Sequence, residues 1–469
     1  MRTEPVAPSL RVRRGCPDLR EIAHLSDHAQ ALVTELKPPL DDAEAAVEAY
    51  RCLECGGPYA SAPCTVACPA QVDVAGFIGA ITRDRPDMAA RIILDANPLG
   101  GTCARVCPTE VLCEGACVLE KEGQRPVEIG RLQRYAVDRT FSGGDRCVPA
   151  LLPANGRRVA VIGAGPAGMA CAALLAPLGY AVTVYDDRAE VGGLVRYAIA
   201  PYRQLQDPLP EEMRRLEAMG VQFRLDQPID TPERLSELEQ AADAIFLGIG
   251  MGDDAEVRYP GDDLDGVWDS LVFIASLKQG RLPEIGSKVA VIGGGNTAMD
   301  VAREAVRLGA RDVTVLYRRT ADEMPAYPHE VREAQEEGVH FRWLTVPVRF
   351  EGEQHLTSVV CSHVRLGPPD ESGRRRPEPV PGTEFTLQVD TVIKAVGQAP
   401  RLAFLKWIDG LTLKNGRIVV DPQTGQTANP RYFAGGDAVN GGSTVVEAVR
   451  LGKIAAHGID RALKQGDGA

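Results

Sequence analysis

The stretch RVAVIGAGPAGMACAALLAPLGYAVTVYD, residues 158–186, decides the fold of this chain. It has the pattern of a buried strand, a glycine-rich turn, an apolar helix and a second strand. Gly163 permits the tight turn, Gly165 lets the backbone approach a pyrophosphate, and Gly168 lets the helix pack close to the sheet. Asp186 ends the second strand, where a carboxylate can accept hydrogen bonds from a ribose. The stretch therefore predicts a Rossmann-like dinucleotide site formed by Gly163, Gly165, Pro166, Ala167, Gly168 and Asp186.

The same strand–turn–helix–strand pattern occurs again in KVAVIGGGNTAMDVAREAVRLGARDVTVLYRR, residues 288–319. Here Ala298 stands in place of the third glycine, which suits a nicotinamide nucleotide. The second strand ends in two arginines instead of an acid. A carboxylate there would repel a 2′-phosphate, whereas a guanidinium binds one bidentately, so we predict NADPH over NADH. The alternative is that the arginines are only a solvated strand end. The predicted contacts are Gly293, Gly295, Asn296, Thr297, Ala298, Arg318 and Arg319.

Two further glycine-rich segments indicate which dinucleotide the first loop binds. EVGGLVRY, residues 190–197, and RYFAGGDAVNGG, residues 431–442, resemble the two FAD-binding patterns of two-dinucleotide flavoproteins. The resemblance implies that Asp437 holds the ribityl chain or the pyrophosphate through a hydrogen bond. It also implies a discontinuous FAD domain with another domain inserted in it. The added FAD contacts are Gly193, Leu194, Gly436, Asp437, Thr444 and Val445.

Composition limits the function classes. The chain has 469 residues, with 44% apolar and 25% charged, as expected of a globular protein of two to four domains. A net charge of −12 argues against a nucleic-acid binder. The long uncharged run at 159–185 has the length of a membrane span, but its glycines and prolines favour a buried strand–turn–helix–strand. No secretory signal is recognisable, so we expect a cytoplasmic protein, in which disulfides rarely persist.

Eight of the twelve cysteines lie between residues 52 and 117. Disulfides, structural zinc, iron–sulfur clusters and inert buried thiols are the alternatives. A zinc site usually pairs two C-x2-C or Cys/His hooks, and only one C-x2-C is present, Cys52 to Cys55. The run C-x2-C … C-x3-C-P, which closes at Cys68, is similar to a bacterial ferredoxin run. The spacing favours iron–sulfur clusters.

The order of these segments resembles the small (beta) subunit of NADPH-dependent glutamate synthase. It is equally similar to the flavoprotein half or subunit of dihydropyrimidine dehydrogenases. The most specific parts are CARVCPTEVLCEGAC, residues 103–117, and IGRLQRYAVD, residues 129–138. The resemblance implies two [4Fe–4S] clusters, the first held by Cys52, Cys55, Cys64 and Cys117, and the second by Cys68, Cys107, Cys113 and Gln133.

In the dihydropyrimidine dehydrogenases that the chain resembles, the ligand at this place looks like a glutamine, whereas glutamate synthases carry an acid near it. Gln133 therefore favours the dihydropyrimidine dehydrogenase family. The alternative is an ordinary surface glutamine. The sequence differs from the family's cysteine pattern in two places. The spacer 56–63 is longer than usual, which makes Cys64 the least certain ligand, and Cys103 is an extra thiol that can substitute for a neighbour.

The sequence thus predicts an α/β protein with an α-helical cluster domain followed by two dinucleotide-binding domains. The expected boundaries are 1–150 for the clusters, 151–255 with 392–469 for FAD, and 256–391 for NADPH. The resemblance implies hydride transfer from NADPH to FAD, then single electrons through the clusters, without a catalytic acid or base.

We expect a separate partner subunit as the acceptor, since few residues follow Arg461. That partner is a uracil- or thymine-reducing barrel or a glutamate synthase large chain. The alternatives are a self-contained NAD(P)H:ferredoxin oxidoreductase, a bifurcating subunit, or a degenerate flavoprotein scaffold.

Overall fold

The computed structural model describes residues 35–57, 59–369 and 373–465. Its first part is helical, as the apolar spacing predicts. Asp41 caps the first helix in a reciprocal capping box with Glu44, and Asp73 caps the third. A 3₁₀ turn at Thr109–Val111 interrupts the series. The helices are α1 Asp42–Ala49, α2 Pro63–Val66, α3 Val74–Thr82, α4 Pro86–Ala96, α5 Gly100–Val106, α6 Val118–Lys121 and α7 Ile129–Ser142.

The chain then enters a parallel sheet, and this confirms the strand–turn–helix–strand prediction. The first strand pairs with the second in register from Arg158 with Ala181 to Ile162 with Tyr185. Short 3₁₀ turns occur at Ala176–Leu178 and Pro201–Arg203. The elements are β1 Arg158–Ile162, α8 Pro166–Leu175, β2 Ala181–Tyr185, α9 Leu194–Tyr197, α10 Leu209–Ala218, β3 Gln222–Arg224, α11 Pro232–Ala241 and β4 Ala244–Leu247.

A second parallel unit is inserted here. Its sheet has the order β5-β13-β6-β7-β8, and a four-stranded antiparallel sheet of β9 to β12 is attached to it. The elements of the parallel part are β5 Val267–Asp269, α12 Ser270–Lys278, β6 Lys288–Ile292, α13 Asn296–Arg307, β7 Asp312–Leu316, α14 Pro328–Glu336 and β8 His340–Arg342. The antiparallel strands and the returning strand are β9 Thr345–Gly352, β10 Leu356–Pro369, β11 Arg375–Pro379, β12 Phe385–Gln388 and β13 Thr391–Lys394.

The final segment returns to the first sheet, whose order is β16-β4-β1-β2-β3. Its last strand pairs in parallel with β4, from Tyr432 with Ile245 to Ala434 with Leu247. The strand pairing therefore agrees with the discontinuous FAD domain that the resemblance implies. The elements are α15 Leu402–Leu405, β14 Leu413–Lys414, β15 Arg417–Ile418, β16 Tyr432–Ala434, α16 Asp437–Asn440 and α17 Val445–Gln465.

Two adjacent segments connect the parallel units. The amide of Gly252 donates to the carbonyl of Ala399 at 2.6 Å, and the amide of Ala255 donates to Gly397 at 2.7 Å. Strand β13 pairs with β6 and β5, so the predicted boundary between 391 and 392 would cut a strand of the second sheet. Because the paired connectors lie at 252–255 and 397–399, we propose that the return to the FAD domain lies near residue 397.

Packing positions the helical part against the first sheet. Phe77 and Leu132 of the helices share one apolar core with Val161 of β1 and Phe246 of β4, and all four are buried. A second core fills the inserted unit. Across the described residues, no helix is both long and apolar enough to cross a membrane. The uncharged run at 159–185 is β1, α8 and β2.

Candidate cofactor and cluster sites

In the first glycine loop, a side chain at either of two glycines would collide with the backbone. Gly163 has φ +105°, and a Cβ atom there would lie less than 3.0 Å from the carbonyl oxygen of Gly248. A Cβ atom on Gly168 would collide with the carbonyl of Gly163 in the same way. At Gly165 the nearest atoms to a Cβ are 3.9 Å away, so this residue faces open space. The loop thus leaves room for a ligand at its middle glycine alone.

Helix α8 begins at this loop with Pro166 in its first turn, and no side chain of the described residues caps it. Its free N–H groups therefore point towards a cavity of about 1060 Å³. A cavity of this size suits a dinucleotide. Eleven of the twelve predicted FAD residues line this cavity, whereas Gly168 packs behind the loop. The lining residues are Gly163, Gly165, Pro166, Ala167, Asp186, Gly193, Leu194, Gly436, Asp437, Thr444 and Val445.

Asp186 directly follows β2 and is held by backbone amides. Ala164 donates to Oδ2 at 2.6 Å and Arg188 donates to Oδ1 at 2.9 Å. Burial raises the pKa of Asp186 to about 6, although both amides act to lower it. The carboxylate thus lines the cavity in a fixed orientation and is ionised at neutral pH.

The two other FAD segments close on the first loop. Gly193 has φ +52°, and a Cβ atom on it would lie 3.1 Å from Cα of Gly165. Gly436, with φ +71°, packs against Ala167, whose Cβ lies 3.0 Å from the Cβ position. Asp437 accepts a hydrogen bond from the Ser443 amide at 3.2 Å, and burial raises its pKa. These contacts bring sequence positions far apart into one cradle that fits FAD.

The second glycine loop repeats this geometry. Gly293 has φ +144°, and a Cβ atom on it would collide with the carbonyl of Ala395. Gly295 precedes α13, and nothing lies within 4 Å of its Cβ position. Asn296 accepts a hydrogen bond from the Tyr327 amide at 3.0 Å, and Asn296 and Thr297 line the same large cavity as the FAD residues. Ala298 is buried behind the loop.

The two predicted arginines lie in different environments. Arg318 is exposed at the end of β7. Arg319 is buried, and its Nε donates to the carbonyl of Arg375 in β11 at 2.9 Å. Neither side chain is among the residues that line the large cavity. Of the two, only Arg318 is exposed, while Arg319 ties β7 to the antiparallel sheet.

The first predicted cysteine set lies together. Cys52, Cys55, Cys64 and Cys117 line one small cavity, whose other walls include Val74, Ile78 and Ile129. The long spacer 56–63 does not prevent Cys64 from joining the set. Burial, together with the neighbouring Cys52, raises the pKa of the Cys64 thiol to about 11. Four thiols around an apolar cavity fit a [4Fe–4S] cluster.

The cysteines of the second set also lie close together. The Cys107 thiol contacts Cys103 and lies near Cys113 and Cys68, and these neighbours together with burial hold its pKa well above the usual range. Cys103 is buried and is thus a fourth thiol beside the three predicted ones. The described cysteines are all free thiols, and no three described Cys, His, Asp or Glu side chains converge on a single-ion site.

Gln133 is buried in α7 and is not a surface residue. Its Nε2 donates to the carbonyl of Gly100 in α5 at 2.7 Å. One turn earlier, Gly130 donates its amide to Glu114 at 2.9 Å and packs against Ala104. Helix α7 therefore runs beside the segment that carries Cys107 and Cys113, and the Gln133 side chain is anchored on α5.

Sequence reasoning missed three charged residues of the large cavity. Arg203 donates from Nε to Asp300 at 2.7 Å and pairs through Nη2 with Glu330 at 2.9 Å, and all three line the cavity. Burial raises the pKa of Glu330 to about 7. No local pattern marks these residues, because they lie on three segments that meet only in the folded chain. Val106 and Pro108, which flank Cys107, also line the cavity.

Comparison with known proteins agrees with this geometry. Residues 157–452 match the family described as pyridine nucleotide-disulphide oxidoreductase. The chain belongs to this family. Residues 29–144 match the domain described as dihydropyrimidine dehydrogenase domain II, 4Fe-4S cluster. The protein is therefore an FAD-dependent oxidoreductase with an iron–sulfur domain, which confirms the predicted fold class, family and enzyme class.

Two curated relatives of this pyridine nucleotide oxidoreductase are similar over most of the chain. The NADP(+)-dependent formate dehydrogenase subunit beta of Moorella thermoacetica is 39% identical over 87% of this chain, which spans only 61% of that relative. The NADPH glutamate synthase small chain of Escherichia coli (strain K12) is 36% identical over 91% of this chain and 93% of its own length.

A solved structure shows the same fold. FprA of Mycobacterium tuberculosis in complex with NADPH superposes with a TM-score of 0.56 at 19% identity. The match covers 67% of this chain and 86% of FprA. At this identity the likeness concerns the fold alone.

Proposed function

We propose that this protein is an electron-input flavoprotein, which oxidises NADPH and passes electrons through two [4Fe–4S] clusters to a partner subunit. The observation that carries the proposal is the large cavity. Its lining joins Gly165 of the first loop, Asn296 of the second loop and Pro108 beside Cys107. Residues predicted to bind the pyridine nucleotide and the flavin thus line one cavity, and the segment around Cys107 reaches its wall.

FAD, when bound, accepts a hydride as two electrons and can release them singly, which iron–sulfur clusters require. The chain holds it through the glycine cradle, with Asp186 on the ribose and Asp437 on the ribityl or pyrophosphate part. Asn296 and Thr297 hold the pyridine nucleotide at the start of α13. Arg318 recognises the 2′-phosphate from the exposed end of β7. These residues bind and orient the two nucleotides, and hydride transfer needs no catalytic acid or base.

The two cysteine sets lie at different depths relative to the cavity. None of the predicted cluster ligands lines the cavity, but Val106 and Pro108, which flank Cys107, do, whereas no neighbour of Cys52, Cys55, Cys64 or Cys117 in the chain does. The set with Gln133 is therefore the inner one, and the set with Cys52 is the outer one. A neutral amide ligand at Gln133 leaves the inner cluster with less negative charge than four thiolates would.

The outer set is next to an exposed apolar surface. Tyr59 is 96% exposed and Tyr50 is 74% exposed, and Val47, Leu53 and Val66 of the same stretch of chain are exposed as well. Acidic residues accompany this surface, among them the exposed Glu44 and Glu54. An apolar patch with an acidic rim fits a redox partner whose docking face is apolar with a basic rim. We propose that the partner subunit docks here and receives electrons from the outer cluster.

Between partners, Gln133 favours a dihydropyrimidine dehydrogenase-type acceptor. One observation favours a glutamate synthase large chain instead: the E. coli small chain matches this protein over 93% of its own length. The complex purified under anaerobic conditions from native cells separates them. Reduction of uracil or thymine by NADPH supports the first, and glutamate formation from 2-oxoglutarate and glutamine supports the second.

The core of the proposal is tested on the chain alone. Anaerobically purified protein should show flavin absorbance on a broad shoulder near 400 nm, about eight iron atoms per chain and NADPH-dependent dye reduction. The variant Cys117→Ser should lose about half of the iron while flavin stays bound. A protein with flavin but without iron, or one unable to oxidise NADPH, would contradict the proposal.

A further inference from the structure

Lys453 connects the FAD side of the molecule to the inner cysteine set. It lies in α17, whose first residue, Val445, lines the large cavity. Its Nζ leaves the helix and donates to the carbonyl of Ala70 at 2.9 Å and to the carbonyl of Ala96 at 2.6 Å. Both acceptors belong to the cysteine-rich part, so this one ammonium group joins three segments of the chain.

The position of α17 is fixed independently of this lysine. Gly452 packs so closely on α8 that a Cβ atom on it would collide with the carbonyl of Ala167. From Val445 to Lys453 the helix rises about 12 Å. Lys453 therefore stands between the proposed flavin site and the proposed inner cluster, on a rigid element.

The segment held by Lys453 carries the thiol of Cys68. Burial raises the pKa of this thiol, while the backbone amides of Val72, Ala70 and Gln71 donate towards the sulfur and lower it. The Lys453 ammonium is bonded to the carbonyl of Ala70, two residues after Cys68; burial lowers the pKa of Lys453, and the neighbouring Cys68 acts to raise it. A positive charge and several N–H groups thus face one sulfur. Groups of this kind stabilise added negative charge on a cluster.

We propose that Lys453 is a positioning residue that raises the reduction potential of the inner cluster, by holding the Cys68 segment and placing a positive charge beside it. The inference rests on the proposed clusters. Accepting one electron makes a cluster one unit more negative, and a nearby cation stabilises that reduced form. Lys453 therefore makes transfer of electrons from the flavin side into the inner cluster more favourable.

Lys453→Met keeps most of the length of the side chain and removes its charge. In an EPR-monitored redox titration of the holoprotein, the inner cluster of this variant should have a potential at least 59 mV more negative. For a one-electron couple this is a tenfold change in the reduced-to-oxidised ratio. The outer cluster should not move. Gln133→Glu, which alters the ligand set of the inner cluster alone, identifies which EPR signal belongs to it.

Two variants separate charge from structure. Lys453→Arg retains the positive charge, so the reduced-to-oxidised ratio of its inner cluster at a given potential should stay within twofold of the wild-type ratio. Lys278 is the matched control, because it also bridges two parts of the chain, donating to the carbonyls of Val195 at 3.0 Å and Ile199 at 3.1 Å. Lys278→Met should lower the unfolding temperature but leave both cluster potentials in place.

The outcomes are distinguishable. If the wild-type protein holds no inner cluster, the proposed function fails. If both clusters are present and Lys453→Met lowers only the unfolding temperature, Lys453 is a structural clamp and this inference is overturned. If Lys453→Met does not take up iron, Lys453→Gln, which keeps a hydrogen-bond donor without the charge, is titrated in its place under the same criterion.

Discussion

The two glycine loops share a backbone but differ in what surrounds them. Strands β1 and β6 read RVAVI and KVAVI, each is followed by a glycine with positive φ, and each leads into a helix without a side-chain cap among the described residues. The first loop is closed by the partly buried carboxylate of Asp186, whereas the second is followed by the exposed Arg318. The two loops thus share a backbone geometry and differ in the charge that stands at the end of the next strand.

The largest effect should come from filling the middle glycine. Gly165 and Gly295 have φ of −75° and −91°, which valine adopts, and both face open space. Gly165→Val should weaken FAD binding about 100-fold, because the side chain occupies the pyrophosphate position. Gly295→Val should leave the flavin bound and raise KM for NADPH by a similar factor.

Flavin absorbance per chain and steady-state dye reduction measure the two effects. The unfolding temperature of each apoprotein should match that of the wild type. If Gly165→Val keeps its flavin, or if Gly295→Val loses it, the two loops do not bind separate nucleotides.

The third position of each loop provides the next test. Gly168→Ala forces a methyl group against the carbonyl of Gly163, so it should cost about 3 kcal/mol of unfolding free energy. Ala298→Gly in the second loop creates no clash and should cost about 1 kcal/mol, mainly through the helix propensity of glycine. Chemical denaturation of both variants checks this difference, and equal losses would show that the loops pack alike.

The strand ends should separate binding from stability. Arg318→Ala should raise KM for NADPH about 30-fold, since it removes about 2 kcal/mol of charge-assisted hydrogen bonding. KM for NADH should change little, because NADH has no 2′-phosphate. Arg319→Ala is the control and should instead lower stability by about 2 kcal/mol through loss of its bond to the Arg375 carbonyl. Equal changes in KM for NADPH and NADH in Arg318→Ala would contradict this assignment.

The smallest effect concerns pH. Burial raises the pKa of Asp186 from 3.8 to about 6, so the unliganded protein carries a protonated carboxyl below that pH. Ribose hydroxyls donate to the ionised form, and FAD affinity should therefore fall as pH drops through about 6, up to about tenfold per pH unit. Fluorescence titration of the apoprotein with FAD measures the slope. Asp186→Asn should bind more weakly with no such slope, and a flat wild-type profile would exclude the role of the carboxylate.

Local backbone requirements are readable from the sequence. It predicts the glycine loops, the acid after β2 and the arginines after β7 at their places, because strands, tight turns and helix starts depend on residues close in the chain. The spacing of the cysteines indicates clusters for the same reason. The antiparallel sheet of β9 to β12 is not predictable in this way, since its strands pair across separate segments, and strand β13 spans the predicted boundary between 391 and 392.

Tertiary structure decided what the local patterns could not. It brought Cys117 to the cavity of Cys52, buried Arg319 while leaving Arg318 exposed, and assembled Arg203 with Asp300 and Glu330. The physical reason is that burial, charge pairing and cavity walls arise from contacts between segments far apart in the chain. The sequence by itself determined which cofactors the chain is built to hold. Only the folded structure determined which side chains face them and at what depth.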